Sequence, residues 1–110
     1  MKKLGKVNVL GTPYTILLMR EDEDEKLQSM SGYCDSSIHT IVVEDIVPTT
    51  MTLANLDEVR RRVIRHELVH AFLFESGLAQ ETWAENEEIV DWIARQFPKM
   101  NEAFQKMDAV

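Results

Sequence analysis

His66-Glu67-Leu68-Val69-His70 holds the residue types and the spacing that could do chemistry. It reads H-E-x-x-H inside a helical run. Two imidazoles four positions apart lie about 40° apart around a helix, so both point the same way. That geometry suits two corners of a tetrahedral site for a borderline-soft cation such as zinc. Glu67 lies on the same side, about 60° from His70 by the same wheel. From there its carboxylate can take a proton from a metal-activated water. Two of the three histidines of the chain are spent on this motif.

The elements around the motif must place it. From Asn55 the apolar period becomes helical, and Asn55 with Glu58 three residues on resembles a capping box. Leu56, Val59, Val63, Ile64, Leu68, Val69, Ala71, Phe72, Leu73 and Phe74 follow, and in the second half they nearly encircle the helix, which predicts a buried helix. Arg60, Arg61, Arg62 and Arg65 are expected to face water, with an acidic substrate as the alternative use for them. Gly77 fits the residue just past the helix end.

Thr82-Trp83-Ala84-Glu85 predicts the start of a second helix and Pro98 its stop. Ile89, Val90, Ile93, Ala94 and Phe97 form its apolar stripe. Glu87 and Asp91, about 40° apart on the wheel, border that stripe. Burying the stripe against the first helix would swing both carboxylates toward His66 and His70. Trp83 and Trp92 are expected in the core; exposed, they would favour a metal-free scaffold that binds a partner through them.

With both motifs in view, the chain resembles the gluzincins, the thermolysin-like zinc peptidases, in which a downstream N-E-x-x-x-D carries the third ligand. Asn86-Glu87-Glu88-Ile89-Val90-Asp91 matches that pattern. The resemblance implies metal ligands His66, His70 and Glu87, with Asp91 orienting the imidazole of His66. Glu88, about 100° round the helix from Glu87, is the rival third ligand. The spacing around Cys34 fits no Cys-type zinc site. The stretch from His66 to Lys99, with the Gly32-Tyr33-Cys34-Asp35 turn and strand, is similar to small phage-encoded and bacterial metallopeptidases of the ImmA/IrrE type. A second lobe like that of thermolysin is missing. The resemblance implies a zinc-dependent peptidase acting on a peptide or protein substrate, with Glu67 as general base. The other reading is a zinc-stabilised binding or regulatory module with little or no turnover. Tyr33 and His39 are the candidate donors to a tetrahedral oxyanion. The expected fold is α+β, a zincin-like minimal core: a small, mostly antiparallel sheet, a buried active-site helix and a C-terminal glutamate helix.

The N-terminal half supplies the sheet. Val7, Val9 and Leu10 lead into Gly11-Thr12-Pro13, and Tyr14 to Met19 is rich in strand formers, so residues 4–20 read as a β-hairpin. Glu21-Asp22-Glu23-Asp24-Glu25 reads as a solvated loop or helix start rather than a cation site. Ser31 to Ser37 is turn chemistry. Residues 38–43 read as a strand with His39, Ile41 and Val43 on one face.

The 110 residues, with no repeat or low-complexity linker, predict one domain. A net charge of -7 argues against nucleic acid and anionic membrane surfaces as partners. No apolar run is long enough to span a bilayer. The start lacks the apolar stretch of a signal peptide. A single Cys34 cannot form an internal disulfide, so the expected compartment is the cytoplasm.

Overall fold

The computed structural model describes residues 1–50, 54–79, 82–84 and 86–110. Strands β1 (Lys2–Val9), β2 (Thr12–Met19), β3 (Gly32–Asp35) and β4 (Thr40–Glu44) precede two 20-residue helices, α1 (Leu56–Glu75) and α2 (Glu87–Lys106). The fold class is α+β. The sheet order is β1-β2-β4-β3; β1/β2 and β3/β4 are antiparallel and β2/β4 parallel, so the sheet is mixed.

The hairpin is tighter than the Gly-Thr-Pro signal suggests. Leu10 and Gly11 alone turn the chain, at φ 51° and 96°. Two positive φ values in a two-residue loop match the right-handed twist of the strands it joins. Thr12 and Pro13 already belong to β2. Pro13 is tolerated because the pairing with β4 starts only at Thr15.

In β2 strict alternation buries Tyr14, Ile16 and Leu18, which pack with Val9, Ile41, Val43 and Ala71 into one core. β4 departs from the expected alternation. It starts at Thr40, His39 sits in the preceding turn at φ 52°, and Ile41, Val42 and Val43 are all buried, so both faces of β4 are covered. The segment read as turn chemistry contains edge strand β3. The acidic run is consumed locally: Glu23 accepts from the N-terminal amine, Asp22 pairs with Arg20 at 3.1 Å, and Asp24 caps a 3-10 turn over Glu25–Gln28.

α1 lies on the sheet, against β3 and β4. The Asn55 side chain caps its start by accepting from the Glu58 amide. Its end is a Schellman motif: Leu78 N–H donates to Leu73 C=O, Gly77 N–H to Phe74 C=O, and Gly77 takes φ 82°. Glu75 ties this end to β2, accepting from Thr12 Oγ1 at 2.7 Å and from the Tyr14 hydroxyl at 2.8 Å. Contrary to the all-round burial that its apolar residues predict, α1 leaves Phe72 and Phe74 exposed. Only a few strands back it, and α2 covers one more side.

α2 starts later and ends later than its sequence signals. Asn86, not Thr82, is the N-cap, accepting from the amides of Glu88 and Ile89; Thr82 instead donates to Leu78 C=O, and Glu85 lies outside the described residues. Two carboxylates directly after Asn86 favour a helix N-terminus there. Pro98 lies inside the helix rather than at its end. A proline there removes the N–H that would bond to the carbonyl of Ala94. Arg65 of α1 supplies a substitute, donating from Nε to that carbonyl at 2.6 Å. The helix thus passes the proline with the stranded acceptor satisfied from the neighbouring helix. Val90 and Ala94 are buried, whereas Ile89 and Phe97 of the predicted stripe are exposed.

Gly32 sets how closely β3 approaches α1. A Cβ there would lie 2.7 Å from Val63 Cγ1 and 2.9 Å from the Val42 carbonyl oxygen, with Glu67 Cγ at 3.6 Å. Neither the backbone oxygen nor the helix can yield cheaply, so Gly32→Ala is expected to cost about 1–3 kcal/mol. Urea unfolding measures this; an unchanged midpoint would show that helix and strand separate freely.

Candidate metal centre

Edge strand β3 with its flanking residues and both helices bound a cavity of about 680 Å³. α1 contributes Arg62, His66, Glu67 and His70, spaced so that all lie along one side of the helix. α2 contributes Glu87 and Asp91 from its first turns, and β3 forms the opposite wall.

The Glu87 carboxylate bridges the two imidazoles. Its Oε2 is 2.9 Å from Nε2 of His66 and its Oε1 is 2.8 Å from Nε2 of His70. The rings are 5.0 Å apart. One donor atom from each of His66, His70 and Glu87 lies within 4.8 Å of the others, so the three could hold a metal ion together. Among the described residues no other group of His, Cys, Asp or Glu does so. Glu88 is exposed and outside the group. Cys34 lines the cavity without joining it, and burial pushes its thiol pKa up to about 12.

The donor chemistry fits a cation. Asp91 Oδ1 lies 3.3 Å from Nδ1 of His66. An imidazole that gives its Nδ1 proton to Asp91 turns the lone pair of Nε2 toward Glu87. Nitrogen lone pair and carboxylate then face each other, and only a second proton or a metal ion makes that favourable. Nε2 of His70 meets the other oxygen of the same carboxylate. Arg95 locks Asp91 in place, donating from Nε to Oδ2 at 2.6 Å. The arginine is the main reason the Asp91 carboxyl is held below its usual range. Arg95 was legible as a partner four residues after Asp91.

Glu67 is the one buried charged side chain among the described residues, 8% exposed. It shares the cavity wall with the trio without being one of its members. Burial first, and the Glu87 charge second, push its pKa from 4.5 up to about 7, with His66 opposing. Between those values the fold keeps a proton that the unfolded chain has released, so Glu67 costs stability as pH rises through that window. His70 acts the other way: burial lowers its pKa, and what it contributes is present above 6.5 and lost as pH falls. Comparing Glu67→Gln with the parent chain, both metal-free, isolates the first effect. The variant should gain relative stability between about pH 4.5 and 7, by at most about 1.4 kcal/mol per pH unit. Denaturant titrations across that range measure it, and a flat difference would mean Glu67 ionises normally in the fold.

The two candidate oxyanion donors part company. Tyr33 lines the cavity, but its hydroxyl donates to Asp24 and Lys26 Nζ sits 4.7 Å over its ring. His39 is not among the cavity residues; its ring packs tilted against Tyr14, with centroids 5.3 Å apart. Its place in a left-handed turn, outside the strand it was expected to join, directs it there. The arginines also divide. Arg60 pairs with Asp45 at 3.2 Å and Arg65 with Glu58 at 3.1 Å, both half-buried, while Arg62 reaches the cavity. Trp83 and Trp92 are exposed, at 78% and 55%, not in the core. Among the described residues no helix is long and apolar enough to cross a membrane.

The chain matches no family model, no curated protein and no solved structure.

Proposed function

We propose that this protein is a zinc-dependent peptidase. The observation that carries the reading is the Glu87 carboxylate spanning both H-E-x-x-H imidazoles, with a buried carboxylate that is not part of the trio beside them. His66, His70 and Glu87 would hold the ion, whose nitrogen and oxygen donors suit zinc. Bound there, it would supply Lewis-acid polarisation of a carbonyl and acidify water. Three protein donors leave a position for solvent, as catalytic sites require.

The chain's own residues do the rest. Glu67, desolvated and poised near neutral pH, accepts a proton from the attacking water and passes it to the departing amine. Asp91, clamped by Arg95, fixes the ring angle and tautomer of His66. β3 is an edge strand that lines the cavity, so its free backbone groups can pair with an extended peptide. Tyr33 remains the candidate oxyanion donor, provided its hydroxyl leaves Asp24. The cytoplasm, where Cys34 stays reduced, suits the chain.

The exposed Trp83 and Trp92 fit a metal-free scaffold that binds a partner through them; the other reading is a zinc-stabilised binding module. Glu67 speaks against it, since a purely structural site gains nothing from a buried carboxylate beside the ion.

Metal analysis of the purified protein, followed by digestion of a mixed peptide library with and without a chelator, tests the proposal. One zinc per chain and chelator-sensitive cleavage are expected. Full zinc occupancy without cleavage of any peptide would favour the binding module.

A further inference from the structure

The cavity wall carries one cation that nothing yet described uses. The chain has six arginines. Arg20 pairs with Asp22, Arg60 with Asp45, Arg61 and Arg65 with Glu58, and Arg95 with Asp91. Arg62 alone has no hydrogen bond or ion pair among the described residues, and it is the arginine that lines the cavity beside His66. It stands four residues before His66, on the same side of α1 and about 6 Å along the helix axis.

We infer that Arg62 is a specificity-determining residue that binds a carboxylate of the substrate, one or two residues away from the bond to be cut. This rests on the peptidase reading of the same cavity. An extended chain advances about 3.3–3.6 Å per residue, so the offset between His66 and Arg62 spans one to two residues. A guanidinium presents a planar fork that takes a carboxylate through two parallel hydrogen bonds. The surroundings make the choice selective. The chain carries net charge -7, and Glu67, Glu87 and Asp91 share the cavity, so an anionic substrate is disfavoured everywhere except at this guanidinium and at the ion. The carboxylate is either the terminal α-carboxylate of a peptide or an Asp or Glu side chain within a longer one. Both present the same chemistry to Arg62.

The test reads binding, so it does not depend on turnover. Zinc-loaded Glu67→Gln protein is titrated with four dansylated alanine-based tetrapeptides: one ending as the free acid, one as the amide, and two amides with Glu or Gln as the last residue. At least one carboxylate peptide should bind roughly ten- to hundredfold tighter than its neutral counterpart. Adding Arg62→Met should bring that ratio close to one, while Arg62→Lys should retain part of it. The acid-against-amide pair reports a terminal carboxylate, the Glu-against-Gln pair a side chain. Zinc stoichiometry and far-UV circular dichroism verify that the Arg62 variants stay folded and loaded. Equal binding of charged and neutral peptides, a preference that survives Arg62→Met, or no binding of any of the four overturns the inference. Cleavage by the parent protein is scored separately. Absent cleavage with an intact Arg62-dependent preference would sink the peptidase reading alone, and cleavage without the preference would sink this inference alone.

Discussion

Glu67→Gln protein should bind one zinc ion as the parent does and cleave peptides at least a hundredfold more slowly. The amide keeps the size of the side chain and loses the ability to accept a proton. Glu67 is not part of the group that could hold the ion, so occupancy has no reason to fall. General-base assistance contributes about 10²–10⁴ in rate. Burial in the cavity places its ionisation near 7, where a base both accepts and releases a proton readily, and a cation beside it would bring that value down. Metal content by mass spectrometry and initial rates on one library-derived peptide give both halves of the expectation. Cleavage at the parental rate would mean that another group activates the water.

Glu87→Ala should lose the ion, and Glu88→Ala should keep it. The Glu87 carboxylate reaches both imidazoles at 2.8 and 2.9 Å, whereas Glu88 belongs neither to the group nor to the cavity lining. Replacing residues that merely orient a ligand costs 10- to 100-fold in affinity, so Asp91→Asn should fall in that range and Glu87→Ala beyond it. The same contrast should show in thermal unfolding. A ligand at a hundred times its dissociation constant stabilises the fold by about 2.7 kcal/mol. Zinc should therefore raise the melting temperature of the parent and of the Glu88 variant, and leave the Glu87 variant where it was. A larger loss of zinc in Glu88→Ala than in Glu87→Ala would move the third ligand and with it the arrangement of the site.

The sequence by itself determined much of what depends on local period and local chemistry, though not the cap of α2 or the burial of β4. The four-residue spacing of His66 and His70 puts them on one side of a helix wherever that helix lies, and Asn55 and Gly77 bound the helix through bonds to backbone groups within a turn. Alternation in β2 buried Tyr14, Ile16 and Leu18 for the same reason, and Glu87 with Asp91 shared a face because they sit one turn apart. The tertiary structure decided what depends on neighbours remote in the chain. Pro98 was read as a stop because its missing N–H strands the Ala94 carbonyl; only the packing of α1 against α2 brings Arg65, 29 residues earlier, to fill that bond. His39 and Tyr33 looked equivalent as donors until the turn carried one to Tyr14 and the sheet carried the other into the cavity. Phe72, Trp83 and Trp92 read as core because they are apolar, but two helices and four strands have too little surface to cover them. Which of four clustered arginines would be left unpaired at the cavity was likewise invisible in one dimension, because it turns on where Asp45, Glu58 and the Ala94 carbonyl fall in space.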